Sequence, residues 1–444
     1  MTRCVSDLIG DIKGYRRGAI RREVGQNVLR SDDEVKADAE RLLGSRIAAA
    51  LRDCPLYAEK VRANCDGVPD PASVSLAELP VWTKDDLRKL WDHVHDAPPP
   101  GGIGHSTGGS TGSPSKFFIT RDSYEWRMAV SDRGYGWAGA AEGQRSYYVW
   151  GVSITPSSQL HRVKAGLEHW LQNRKYFDSF DFAEARKAEC CREIEAFKPK
   201  AIVGYAGNLV DLALYVHRNP SALKWRSESI VTAADGLRPG QRELIEQTLG
   251  EAVFLTYGSR EFMLIGAECP EHRGYHLSTD NLWVEVVDDS GQPVPPGESG
   301  RILVTDLHNM ATPFIRYEIG DVGVMAADPC PCGLPFPLLE RVEGRIQERI
   351  ELPGGESLTA LFIPHLMKEF EWAKAYQVRQ ISDSEICMEL ITDEPLQAEK
   401  TGEIVRYLQP RVGEAMSITC RRVDSLQKSA SGKTPIVVGE KAET

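Results

Sequence analysis

The chain reads as an α/β protein: a large N-terminal domain with mixed parallel sheets plus an antiparallel β subdomain, then a small α+β C-terminal domain. Three observations predict this. From about residue 181, short apolar runs alternate with helix-length segments, the pattern of βαβ units and a largely parallel sheet. After 275 the texture turns β-rich, with runs flanking a tight turn. Beyond about 345 a smaller unit follows, with strands near 375–380, 385–391 and 416–420 and a helix near 396–408.

Taken in order, Ser31-Asp-Asp-Glu34 is a capping-box pattern. The helix it opens carries Val35, Leu42, Leu43, Ile47 and Leu51 on one face, and Pro55 stops it. Pro98-Pro-Pro-Gly-Gly102 breaks the chain ahead of a Gly/Ser/Thr-rich stretch at 104–115. A helix pattern through Phe182, Ile194 and Phe197 leads to the strand Ala201-Ile-Val203. A helix over 207–217 leads to Ile230-Val-Thr232, and a third over about 240–249 leads to Val253-Phe-Leu255. Leu282–Val287 and Arg301–Thr305 flank Asp288-Asp-Ser-Gly291, an antiparallel pair.

The 444 residues, 41% apolar and 26% charged, suit a globular chain of two or three domains at roughly 100–200 residues each. The net charge of −11 argues against a nucleic-acid partner, which needs phosphate-neutralising basic surface. The first 25 residues lack a signal-peptide apolar core and no run is apolar enough to span a bilayer, so a cytoplasmic protein with no membrane partner is expected. Ten cysteines in so long a chain read as reduced thiols unless some cluster as metal ligands.

Two segments invite a phosphate-binding reading. Ser106-Thr107-Gly108-Gly109-Ser110-Thr111-Gly112-Ser113-Pro114-Ser115 lets the backbone approach an anion while hydroxyl and N–H groups donate to it. A plain surface loop is the competing reading. Ser431-Gly-Lys-Thr434 is not a P-loop, because Gln427 stands where that motif needs Gly.

Together with Thr232-Ala233-Ala234-Asp235-Gly236, Tyr257-Gly258-Ser259-Arg260-Glu261, Arg316-Tyr-Glu-Ile-Gly-Asp321 and Gly344-Arg345, these segments resemble, in order, the motifs of the adenylate-forming superfamily. The likeness is to its phenylacetate–CoA ligase-like branch and runs from about Cys54 to Lys433. It implies an ATP- and acid-binding domain over 1–344 and a small mobile domain over 345–444. It further implies that the loop holds the ATP phosphates and that Ala234 and Asp235 contact adenine. Tyr257 would stack on that base, with Gly258, Ser259 and Arg260 beside it. Glu261 would hold Mg²⁺ as a hard oxygen ligand, and Asp321 would accept the ribose hydroxyls with Arg345 in support. Lys433 would bridge the substrate carboxylate and the α-phosphate.

The expected reaction is acyl-adenylate formation with pyrophosphate release, then transfer to coenzyme A. An amine or a carrier-protein thiol as acceptor, or a degenerate binding protein, are the alternatives. Arg260 in place of Thr or Ser and Gln347 in place of the hinge acid motivate them. Tyr147-Tyr148-Val149-Trp150 and Gly204-Tyr205 fall where the branch lines its acid pocket, so Tyr148, Trp150, Gly204 and Tyr205 are expected to wall it for an aryl or aryl-acetic acid. Alternation buries the other two of the four as core. His161, Arg162 and Lys164 would face a polar substituent or solvent. A homodimer is left open.

Cys269-Pro-Glu-His272-Arg-Gly-Tyr-His276 and Cys330-Pro-Cys332-Gly333 supply four soft ligands for a closed, structural zinc site. The resembled branch favours Cys269, His276, Cys330 and Cys332, with His272 as the alternative histidine. Cys190-Cys191 read as ordinary buried thiols.

Overall fold

A computed structural model describes residues 10, 14–65, 74–106, 115–150, 166, 169–179, 182, 184–233, 236–237, 240–345, 349–353, 357–359, 362–367, 370, 372–427 and 435–439. The chain divides into two compact units. One is drawn from residues up to His105, from Phe117–Ile319 and from Gly323–Val342; the other from Ser106–Lys116, Gly320–Val322 and Glu343 onward. No helix among the described residues is long and apolar enough to cross a membrane.

In the first unit, the capping box at Ser31 forms: Glu34 N–H donates to Ser31 Oγ at 3.3 Å and Ser31 N–H to Glu34 Oε2 at 3.0 Å. Its helix, Asp32–Asp53, ends where expected. Pro55 does more than stop it: the proline opens the next helix, Pro55–Asn64, where its missing N–H costs nothing. A second capping box, Thr83 with Asp86, starts the helix Lys84–Val94. The short strands β1 (Gly102–Ser106) and β2 (Lys116–Thr120) pair with each other. Thr120 then caps the helix Arg121–Trp137.

The main sheet has eleven strands among the described residues. They are β3 (Ser146–Trp150), β4 (Arg174–Asp178), β5 (Ala201–Tyr205), β6 (Ser227–Ala233), β7 (Gly250–Ser259), β8 (Met263–Ala267), β9 (Tyr275–Leu277), β10 (Leu282–Val287), β11 (Ser299–Asp306), β12 (Tyr317–Met325) and β13 (Leu338–Arg345). Their order is β10-β11-β12-β13-β9-β8-β7-β6-β5-β3-β4. From β4 to β7 all pairings are parallel. From β7 through β8 and β9 to β13 they are antiparallel, as is β10 with β11.

The α/β class is as expected, but the parallel and antiparallel parts are one sheet. Strand β7 joins them. Its residues Gly250–Leu255 pair parallel with β6, and Thr256–Ser259 turn to pair antiparallel with β8. Alternation places Tyr147, Val149, Ile202, Ile230 and Val253 against the helices Glu184–Phe197, Ala206–Arg218 and Gln241–Thr248. Tyr148, Val203, Val231 and Phe254 form a cluster on the opposite face, with Tyr135 of the helix Arg121–Trp137 packed against it. The antiparallel half buries Phe262, Ile302, Phe314 and Tyr317 against Leu43, Ile47, Tyr57 and Leu87 of the N-terminal helices.

In the second unit, β14 (Arg349–Glu351) pairs with β15 (Ser357–Thr359). A hairpin of β16 (Ala375–Ser382) and β17 (Glu385–Ile391) is followed by the helix Ala398–Val412. That helix carries the chain to β18 (Ser417–Arg422), parallel to β17, and β19 (Val437–Gly439) lies parallel to β16. Val378, Met388, Leu390, Ile404 and Leu408 form its core.

Candidate active site

The motif Tyr257–Glu261 sits at the end of the strand that joins the two halves of the sheet. Gly258 is required there by close approach, since a Cβ at this position would lie 2.0 Å from the Met263 carbonyl oxygen. The same residue marks a register shift between β7 and β8. Tyr257 is 8% exposed, its ring 6.1 Å from that of Tyr275. Ser259 Oγ accepts from the Phe262 N–H at 3.3 Å, closing the turn. Arg260 points outward.

Glu261 is buried, at 6% exposure. Its Oε1 accepts from the Tyr317 hydroxyl at 3.3 Å, and its carbonyl accepts from Arg127. Among the described residues no cation forms an ion pair with its carboxylate. A buried carboxylate without a counter-ion is costly, and its oxygen donors fit a hard divalent cation such as Mg²⁺.

Tyr317 belongs to the motif that ends in Gly320-Asp321 on β12. Arg316, which opens that motif, is a structural clamp. Its guanidinium is 1% exposed and donates to Leu79 O at 2.7 Å, Gly291 O at 2.5 Å and Glu285 Oε1 at 3.2 Å. Ser106 ends β1, and Arg345 ends β13. Thr107, Gly108, Gly109, Ser110, Thr111, Gly112, Ala234, Asp235 and Lys433 lie outside the described residues, as do His161, Arg162, Lys164 and Gln347.

At the carboxyl ends of the neighbouring parallel strands β3 and β5, Trp150 stacks on Tyr205 with centroids 4.3 Å apart. Tyr148 stacks on Tyr176 of β4 at 4.6 Å. Open α/β sheets bind ligands at this end of their strands. Gly204, next to Tyr205 on β5, is required by close approach, since a Cβ there would stand 2.9 Å from the Val149 carbonyl oxygen and 3.1 Å from the Leu209 side chain.

Sequence reasoning gave no role to Tyr317 and did not find Arg127 or Asp306. Arg127 Nη2 donates to Asp306 Oδ2 at 2.6 Å, with side-chain exposures of 1% and 0%. Only a polar residue ending an apolar strand run, at Asp306, signalled this pair.

A second constellation gathers Cys269, His276, Cys330 and Cys332, whose donor atoms all lie within 4.8 Å of one another. Cys269 Sγ is 3.7 Å from Cys330 Sγ, and Cys332 Sγ is 3.3 Å from His276 Nε2. The first distance is far beyond the roughly 2.05 Å of a disulfide. It matches the about 3.8 Å between two sulfurs bound at about 2.3 Å to one tetrahedral zinc. His276 Nδ1 is 3.2 Å from the Phe336 carbonyl, which holds a proton on that nitrogen and leaves the Nε2 lone pair facing the sulfurs. Burial lowers the imidazole's proton affinity and pushes the Cys269 thiol up to about 12. Gly333, at φ 73°, makes the turn that follows the two cysteines. His272 takes no part in the cluster and contacts Glu268 at 3.1 Å.

Comparison with known proteins agrees with this architecture. A family described as the CapK C-terminal domain matches residues 351–440. A phenylacetate–coenzyme A ligase of Thermus thermophilus is 24% identical over 434 residues, covering 90% of this chain and 95% of the relative. One from Pseudomonas putida is 23% identical over 402 residues, covering 86% and 88%. Among solved structures, a 2-hydroxyisobutyryl-CoA ligase in its postadenylation state, in complex with R3-HIB-AMP, matches with a TM-score of 0.71 at 20% identity, over 94% of this chain and 92% of that one. In fold and in the order of its motifs, the chain is similar to proteins of the adenylate-forming superfamily. In sequence, its likeness along most of its length is to phenylacetate–coenzyme A ligases.

Proposed function

We propose that the protein is an AMP-forming acid–CoA ligase. It joins a small carboxylic acid to ATP as an acyl-adenylate, releasing pyrophosphate, and then transfers the acyl group to the thiol of coenzyme A. The observation that carries this reading is Glu261, a buried carboxylate at the end of the β7 motif with no counter-ion among the described residues. Relatives similar along nearly the whole chain are named as CoA ligases.

In this reading the loop from Ser106 through Gly112 donates to the ATP phosphates. Tyr257, Ala234 and Asp235 hold adenine, while Asp321 and Arg345 hold ribose. Glu261 holds Mg²⁺, which when bound offsets phosphate charge. Arg260, exposed at the motif's rim, supplies a guanidinium to a phosphate where relatives place a hydroxyl. Lys433 offsets the charge that builds as one anion attacks another. Tyr148, Trp150, Gly204 and Tyr205 wall a flat aryl or aryl-acetic acid. The small domain over 345–444 turns between the two half-reactions. Zn²⁺ on Cys269, His276, Cys330 and Cys332 ties the β8–β9 connection to the 330–336 loop; all four ligands are used, so its role is structural.

The test is acid-dependent ATP–pyrophosphate exchange over aryl, heteroaryl and aliphatic acids, with thioester formation followed with and without coenzyme A. Exchange with an aryl acid and a CoA-dependent thioester are expected. Lys433→Ala should abolish adenylation while the fold persists; unchanged exchange in that variant overturns the assignment.

A further inference from the structure

The buried pair Arg127–Asp306 stands between two parts of the site that are far apart in sequence. On one side, Arg127 Nη1 donates to the Glu261 carbonyl. Its other arms reach Asp306 Oδ2 at 2.6 Å and Ser123 Oγ at 3.2 Å. On the other side, Asp306 Oδ1 accepts from the backbone N–H groups of His308 and Asn309, each at 2.9 Å, and so shapes the turn that follows β11.

That turn completes an edge of β2. Thr120 N–H donates to Asn309 Oδ1 at 3.1 Å, and Asn309 Nδ2 donates to Phe118 O at 3.0 Å. Phe118 N–H donates to Thr312 Oγ1 at 3.1 Å. Asn309 and Thr312 are both buried, so these side chains serve β2 as a neighbouring strand would. Strand β2 is where the chain leaves the Gly/Ser/Thr-rich loop. One unbroken chain of hydrogen bonds therefore runs from the Glu261 backbone to that strand, with the ion pair at its centre.

A buried ion pair is a poor device for stability alone, since apolar replacements of similar volume often do as well. A guanidinium fork held by three acceptors does fix direction. We propose that Arg127 and Asp306 are positioning residues that hold Glu261 and strand β2 in register, so that the Mg²⁺ held by Glu261 is presented to ATP in one fixed place. This rests on the reading that Glu261 holds Mg²⁺.

The experiment measures ATP binding by calorimetry as a function of Mg²⁺, without acid and therefore without turnover, together with the melting temperature of the unliganded protein. Arg127→Lys retains a cation opposite Asp306 but loses the fork. Thr312→Val removes the Phe118 acceptor and touches neither Arg127 nor Glu261. Glu261→Gln is the benchmark. Arg127→Lys should raise the Mg²⁺ half-saturation about tenfold and Thr312→Val about threefold, with the melting temperature of Thr312→Val near that of the parent. A structural role alone would lower the melting temperature and leave the half-saturation in place. If Glu261→Gln weakens Mg²⁺-dependent binding but the folded variants bind as the parent does, the positioning role is overturned. Should Arg127→Lys fail to fold, Thr312→Val decides. If Glu261→Gln binds normally, the magnesium reading itself fails and takes the inference with it.

Discussion

The Tyr317 hydroxyl donates to Glu261 Oε1 at 3.3 Å across 56 residues of sequence. Burial, and then the Glu261 charge, hold its phenol well above the usual tyrosine range, so it remains a donor at any working pH. Tyr317→Phe should cost about 1 kcal/mol of stability, the net worth of one such bond. Adenylation should fall by more than that loss of folded protein explains. Urea unfolding and exchange rates on the same preparation check this; an effect on stability alone would reduce the hydroxyl to packing.

Acid should weaken the fold through Asp280. Burial alone would raise its carboxyl, but the Arg133 charge, at 2.6 Å and 2.9 Å, and the Asn27 amide outweigh burial and hold it below the ordinary aspartate value. With the folded value below the unfolded value of about 3.9, its stabilisation is complete above pH of about 4. It is lost as the pH falls through the folded value. Asp280→Asn should be less stable than the parent at pH 7 by up to about 3 kcal/mol. The two proteins should converge on acidification. Denaturant unfolding from pH 7 down to 3 reads this, and parallel curves would contradict it.

Protein purified without chelator should carry one zinc per chain by metal analysis. Cys330→Ser or Cys332→Ser should bring this close to zero and lower the melting temperature, since metal binding to a closed site contributes directly to folding. Full occupancy in either variant would rule out the four-ligand set.

Gly258→Ala should destabilise the protein by about 1–3 kcal/mol, as overpacking does, because the new Cβ meets the Met263 carbonyl rather than a side chain able to move aside. The strain falls three residues before Glu261, so the Mg²⁺ requirement should rise as well. Equilibrium unfolding and a Mg²⁺ titration of exchange test the two effects separately.

Trp150→Ala should raise the KM for the acid about tenfold and leave that for ATP near the parent value. The stack on Tyr205 contributes about 0.5–1.5 kcal/mol beyond its buried area. Steady-state kinetics varying each substrate in turn distinguish this from a general loss.

Local chemistry made much of this molecule legible. The Ser31 capping box, the alternation of Tyr147 to Trp150 and the βαβ spacing from 201 to 255 depend on neighbours within a few residues, and a single sequence displays them. So did the ordered motifs and the Cys/His spacing, because ligands held in one turn must be close in sequence. Tertiary structure decided what depends on distant partners. Strand β7 could not be read as the junction of parallel and antiparallel halves, since pairing on either side comes from chain far from it. The choice of His276 over His272 followed from which imidazole the β9–β13 pairing brings to Cys332. Arg127 and Asp306 carried no periodic signal, because their contact spans 179 residues and is selected by burial, where an unpaired charge would be too costly to keep.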